Sequence, residues 1–577
     1  MKTLNVCLIG LIIGASILPT IQGNEILHSS NNSIETIHTT QIPNQYVGCS
    51  IELTGDILLN VKLQRFPMEK TSILLYYPMT LLPGYPVNVT INDQTFQYTS
   101  GGKITLYGFF GEINSTEGSM IDDKLSIYLK GKALYVRVDA EQNAILDDAY
   151  IPIVESLNTL IYPLENNPLQ LSDDELQPLE YLSDCRIVGL GEATHGTKQF
   201  FALKHRIFQY LVENHGFKVF AFECDMGESL YVNDFVLNGE GDINDIMLYT
   251  MHFWTWCTEE VKDLLVWMKE YNQNKSDEDK IYFVGVDCQF LTYQSDILLD
   301  YINKSTITIP EQTFLFLQEI DEIGENLYKY YETISSDKKN EIRQKTEDLV
   351  TFLENHKDEF RAVSSEIEYQ FMKQLASNIN QVNDVAYSYT HSGLVNFRDV
   401  YMAENTLWTS STFCGEDTKV ALWAHNMHVS NVEWFQSIGF HLKKLLQDEY
   451  QIIDFGFSTG SFTAVNIEKL PYSLRTNYIT RQPLIDSINY VCHFAKDDTF
   501  ILKTSDIQPN STFDTYISQL HDFLDIGAVF DGNSYHYYYE TKLKDHCDIL
   551  FYWDHTTASE LLSPTTSSNM FTPLFNL

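Results

Sequence analysis

The stretch GLGEATHGTKQFFALKHRIF runs from Gly189 to Phe208. Its first half is small and glycine-rich. Its second half starts an amphipathic helix with Phe200, Leu203, Ile207, Tyr210 and Leu211 on one face. The apolar run RIVGL, just before the turn, reads as a strand. A strand, a sharp glycine turn and a helix form one unit of an α/β fold. The turn carries an acid and a histidine three residues apart, Glu192 and His195. Thr194 or His195 is expected to cap the helix. That placement sets the imidazole near the positive end of the helix dipole and favours a neutral, basic ring.

The same texture continues outward. KVFAFEC, IYFVGVDCQ, KVALWAHN and QIIDFGFSTG alternate with helical patterns. This predicts an α/β fold with a mostly parallel sheet flanked by helices. Between 310 and 411 there is no strand-like run. EIRQKTEDLVTFLENHKDEF and EIEYQFMKQLASNINQVNDVAYSY have helical periodicity, so a mostly helical insertion is expected there. From 46 to 148 the runs SILLYY, VNVTI, ITLYGFF, LSIYL and ALYVRV are separated by turn residues such as PGYP, SGGK and KGK. They predict a separate antiparallel, β-sandwich-like accessory domain ahead of a catalytic domain at 149–577.

The length of 577 residues accommodates two or three such domains. MKTLNVCLIGLIIGASILPTIQG places Lys2 before an apolar run from Leu8 to Leu18 and reads as a secretory signal peptide at 1–23. A polar, flexible lead-in is expected at 24–45. The protein is then secreted or periplasmic. The apolar run is shorter than the roughly 20 residues of a membrane span, and no later run is long enough. A formal net charge of −40 excludes nucleic acid and anionic lipid as partners. The acids are dispersed, as for a soluble surface. Eight cysteines follow the leader with no CxxC pair, and most read as buried free thiols.

Ligands of an open parallel sheet bind beyond the carboxyl ends of its strands. Four such ends supply residues of catalytic type: Glu192 and His195, then Glu223, then Asp287 with Gln289, then His425 and His428. A neutral imidazole with a carboxylate to orient it suits a general base acting on water. Carboxylate and imidazole are also metal ligands, so a metal-dependent hydrolase is the rival reading. No HExxH motif and no zinc-spaced Cys/His cluster occurs. No cofactor is therefore expected, with a divalent metal left open. Gly456-Phe457-Ser458-Thr459-Gly460 matches G-x-S-x-G, but the following SFTAVNIEKL looks extended, against the helix that a nucleophile elbow requires. Trp254, in MHFWTW, is a candidate wall of the substrate cleft.

GEATHGTKQFFALKHRIF, FKVFAFEC, HFWTW, FRDVYMAENTLW and LWAHNMHVS, in this order, resemble the erythromycin esterase family over roughly 169–577. The resemblance implies an α/β core, a deep cleft and hydrolysis of a macrolactone ester by water without a covalent enzyme intermediate. It implies an antibiotic-resistance activity on macrolides, with a small-molecule ester as partner. On that pattern His195 is the general base, Glu192 holds the base or the water, and Glu223 is a second acid. His425 and His428 line the cleft. Lys204 stands where some members carry arginine, and it joins Arg398, Glu404, Trp254 and Asp287 as candidate substrate-binding residues. Other readings remain: a metal-dependent hydrolase of another extracytoplasmic ester or amide, and a non-catalytic binding protein that uses the β-domain.

Overall fold

The computed structural model describes residues 146–563, apart from 166, 325, 392–395, 414 and 469, and the backbone of eight strands between 45 and 139. The expected signal peptide at 1–23, and nearly all of the lead-in at 24–45, lie outside the described residues. The chain divides into two compact units, one at Thr20–Ile145 and one from Leu146 onward.

The first unit contains β1 (Gln45–Leu59), β2 (Thr71–Leu74), β3 (Met79–Pro83), β4 (Val87–Ile91), β5 (Gln94–Tyr98), β6 (Lys103–Tyr107), β7 (Phe110–Ser115) and β8 (Lys124–Asp139). They form a sheet in the order β2-β7-β8-β6-β3-β1-β4-β5, with a further pairing of β8 to β1. Every pairing is antiparallel. LSIYL and ALYVRV, read as two strands with a KGK turn, are one strand. Gly131, in the middle of that supposed turn, is paired on both sides, with Ile51 and with Gly111. Two flanking ladders hold the backbone extended where local composition favours a turn.

The second unit is built on β9 (Ile161–Pro163), β10 (Ile187–Leu190), β11 (Val219–Asp225), β12 (Tyr282–Asp287), β13 (Val420–Trp423), β14 (Tyr450–Gly456), β17 (Thr499–Lys503) and β21 (Ile549–Trp553). Their order is β12-β11-β13-β10-β14-β21-β17-β9. The pairings from β12 to β21 are parallel, and β17 and β9 complete one edge antiparallel. A smaller sheet joins β15 (Thr459–Asn466), β16 (Ser473–Ile479) and β19 (Val529–Phe530), and β18 (His521–Leu524) pairs with β20 (Tyr538–Thr541). The central strands are mostly apolar because both faces are covered, with acids placed toward their carboxyl ends. Ile187, Val219, Ala221 and Val284 enter the core on one side, and Val188, Leu190, Phe220 and Phe222 the core on the other.

The helix after β10 spans Lys198–His215. Phe200, Leu203, Ile207, Tyr210 and Leu211 are buried, but so are Phe201, Lys204, His205 and Phe208 on the remaining faces. The preceding segment covers the outside of this helix, where Leu171 O accepts from Arg206 Nε (2.7 Å) and Glu180 from Tyr210 (3.0 Å). The helix begins later than expected. Thr197 is its N-cap residue, and the Thr194 hydroxyl bonds the Thr197 hydroxyl (2.7 Å) and Gly196 N (3.2 Å). From 311 to 408 the described chain is helical, including Glu311–Gly324, Ser336–Asn355, Glu366–His391 and Phe397–Trp408.

Candidate active site

The turn after β10 is held from below and from the side. Gly191 N donates to Ile453 O (2.8 Å), and Thr463 N donates to Gly196 O (2.8 Å). A Cβ on Gly196 would lie 2.0 Å from Thr463 O, so this approach requires glycine. The Glu192 carboxylate is thereby directed inward and is fully buried. Oε1 meets His195 Nδ1 at 2.7 Å. Oε2 accepts from Lys204 Nζ (2.6 Å) and Trp423 Nε1 (2.8 Å). Three donors around one buried carboxylate satisfy its charge and fix the proton of a neutral His195 on Nδ1. Its Nε2 then carries the lone pair and has no hydrogen-bond partner among the described residues.

Lys204 is wholly buried, with Nζ 4.3 Å from the centre of the Trp423 ring. Burial lowers its pKa to about 8 against the pull of Glu192, so it remains charged at neutral pH. With no exposed surface, it acts as a support for the Glu192 carboxylate.

A second cluster gathers around Arg398. Its Nε and one terminal nitrogen clasp Asp287 at 2.9 and 2.8 Å, and the same terminal nitrogen donates to Glu223 Oε1 (2.7 Å). The other donates to His428 Nε2 (3.1 Å), while His428 Nδ1 lies 2.8 Å from Asp399 Oδ2. Burial works against the Glu223 charge, but His428, Arg398 and His195 overcome it and hold the carboxyl well below its ordinary range. Asp287 is fully enclosed and serves as the counter-ion of Arg398.

Glu223 joins the two clusters. Its Oε2 accepts from His425 N (3.0 Å), and the His425 ring centre lies 4.8 Å from that of His195. Gly527 N donates to His425 Nε2 (3.0 Å), and the Asp525 carboxylate is 3.1 Å from the same nitrogen. Burial, with His195 and His428 nearby, keeps His425 neutral by pushing its pKa well down. His425 caps the single-turn helix Asn426–Val429, and His428 lies within it, so the pair shares one site although the helix is short.

His195, Glu192, Glu223, His425, His428, Arg398 and Asp287 are thus brought together. Trp254 and Glu404 make no hydrogen bond or ring contact with these residues among those described. Trp254 packs with Val465 and Val529, and the tryptophan beside His195 is Trp256, with ring centres 6.4 Å apart. Glu404 is exposed and lines a hollow of about 490 Å³ with Arg343 and Tyr401 in the helical insertion. It faces away from Arg398 because six residues carry it to another side of the helix. Ser458 is followed by β15, is buried, and is hydrogen-bonded with the Tyr552 hydroxyl. Asp399, Trp423, Asp525 and Gly527 were missed by sequence reasoning. Asp399 and Trp423 stand inside quoted motifs, next to Arg398 and two residues before His425. Asp525 and Gly527 belong to no motif.

With its side chain 12% exposed, His195 is the most open of the ionisable residues in these clusters. A water-facing imidazole backed by a buried carboxylate can take a proton from water. Among the described residues, Glu192 and His195 belong to no grouping of three metal-ligand side chains.

The family model described as Erythromycin esterase matches residues 212–556, beginning past GEATHG. Erythromycin esterase type II of Escherichia coli is 26% identical over 316 residues, 51% of this chain and 74% of the relative. Among solved structures, a succinoglycan biosynthesis protein aligns with a TM-score of 0.63 at 23% identity, covering 72% of this chain and 100% of that one. An erythromycin esterase mutant in its open conformation aligns with a TM-score of 0.52 at 16% identity, covering 70% and 99%. These two likenesses show the shared α/β fold. Because the family model covers well over half of the sequence, the chain belongs to the erythromycin esterase family.

Proposed function

We propose that this protein hydrolyses a carboxylic ester of macrolactone type with water activated at His195, without a covalent enzyme intermediate. Family membership supports hydrolase chemistry. The observation that carries the mechanism is the bond of His195 Nδ1 to buried Glu192, which leaves the lone pair on Nε2 of a side chain that is 12% exposed. In this reading Nε2 takes a proton from water as oxygen attacks the ester carbonyl. Glu192 stabilises the imidazolium. The His425, His428 and Arg398 cluster stabilises the oxyanion, and the His195 imidazolium returns its proton to the leaving alkoxide. Ser458, buried and bonded to Tyr552, offers no rival nucleophile. The leader-like sequence at 1–23 supports action outside the cytoplasm, with the N-terminal strand unit as an accessory domain.

The test is mass-spectrometric hydrolysis of a macrolide lactone by wild type and His195→Ala, each with and without chelator. Wild type is expected to add one water irrespective of chelator. The variant is expected to fall by about 10²–10⁴-fold, the contribution of a general base. Undiminished turnover by the variant would reject the mechanism.

A further inference from the structure

We propose that Asp225, Glu228 and His252 bind one divalent transition-metal ion of the zinc class, at a site separate from the His195 centre. One ligand atom from each residue lies within 4.8 Å of the other two. None of the three shares a hydrogen bond with Glu192, His195, His425 or His428 among the described residues. Two carboxylates and one imidazole form a three-ligand set that leaves a fourth position open to water. The imidazole favours a transition metal over calcium or magnesium.

An unsatisfied atom provides the independent pointer. Asp225 is 1% exposed, and its Oδ1 accepts from Gln289 N (2.8 Å) and Phe290 N (3.0 Å), yet its Oδ2 is buried without a hydrogen-bond partner. A buried carboxylate oxygen left unpaired is costly unless a proton or cation meets it. Burial, with Asp287 and Glu228 close by, pushes the Asp225 pKa well above its ordinary range.

His252 is held as an outer partner would hold a ligand. Its ring stacks on Phe290 with centres 4.2 Å apart, and Nε2 is 2.8 Å from the Thr292 hydroxyl. Nδ1 faces Glu228 Oε2 at 2.5 Å, and that oxygen also accepts from His252 N (2.8 Å). At that distance only a proton fits between nitrogen and oxygen, because a zinc ion needs about 2.0 Å to each, so metal binding replaces the proton and opens the pair. The His252 side chain is 12% exposed, which leaves a small ion a route in. Metal ligands must be deprotonated, so binding displaces the proton shared by His252 and Glu228 and any proton on Asp225. The ion enters with a charge of about +2 and about two protons leave, so the local charge balances.

The experiment is calorimetric titration of Zn²⁺ into the full chain after chelator treatment, in two buffers of different ionisation enthalpy. About one ion per chain is expected, with proton release. Asp225→Asn, which keeps the shape of the side chain, and His252→Ala are expected to weaken binding by more than the roughly 10–100-fold of an outer-partner change. His195→Ala is expected to bind as wild type does. Circular dichroism checks that each variant is folded. No stoichiometric binding by wild type, or binding retained in folded Asp225→Asn and His252→Ala, would overturn the site in favour of shared protons. Loss in His195→Ala would move the ion to the Glu192 centre. No substrate is used, so the esterase mechanism and the metal site fail independently.

Discussion

Lys204 shows how the environment of a residue sets its role. In the sequence it is a cation near a catalytic motif, and in the structure it is a buried support under Glu192. Lys204→Met leaves that carboxylate without its strongest partner, and a loss of about 3–5 kcal/mol is expected in urea denaturation, as for a broken buried pair. In the surviving folded fraction, Glu192 pulls harder on a proton at His195. The acid limb of kcat/KM should therefore move to higher pH, whereas Lys204→Arg should leave it in place. An unmoved limb in Lys204→Met would detach Lys204 from the base.

Glu223 makes a pH prediction at the same scale. Its pKa in the folded protein is depressed, so its charge contributes stability above the unfolded value of about 4.3. The contribution is lost as pH falls through the depressed folded value. The stability gap between wild type and Glu223→Gln should be full near neutrality and shrink steadily below about pH 4. Urea midpoints across that range read it, and a gap independent of pH would contradict the ion pairing seen around Arg398.

Elements meet at the Gly191–Thr197 turn. A Cβ at Gly196 has no room against Thr463 O, whereas a Cβ at Gly216, the helix C-cap with φ 71°, meets nothing within 4 Å. Gly196→Ala is expected to lose about 1–3 kcal/mol of stability by overpacking, together with ester turnover. Gly216→Ala should lose about 1–2 kcal/mol of stability to backbone strain and keep its turnover. Equal activity in the two variants would show that the turn tolerates displacement. The helix start departs from the sequence expectation at this scale. Thr194 has the chemistry of a cap, but its hydroxyl is taken by Thr197. Cap choice follows from where the turn is pinned, and the pin is β15, more than two hundred residues away.

In the whole molecule, every residue of the described clusters belongs to the unit from Leu146 onward. A chain beginning at Leu146 is expected to retain His195-dependent ester turnover with the pH profile of the full protein. A folded truncated chain without turnover would assign the N-terminal strand unit a part in catalysis.

The mixed α/β class, the family and the residue types at four strand ends could be read from the sequence alone. Apolar runs, glycine turns and helical periodicity are local, and each reports burial or backbone conformation within a few residues. Local pattern does not specify partners. Trp423 reaches Glu192 across 231 residues, Arg398 reaches Glu223 across 175, and Gly527 reaches His425 across 102. Those contacts depend on the strand order β11-β13-β10-β14, which places sequence-distant strand ends side by side. The tertiary structure therefore decided that Lys204 supports Glu192 and that Trp256 borders His195. It also decided that Arg398 meets Glu223 and Asp287, because a buried charge is stable only where packing delivers a counter-charge to it.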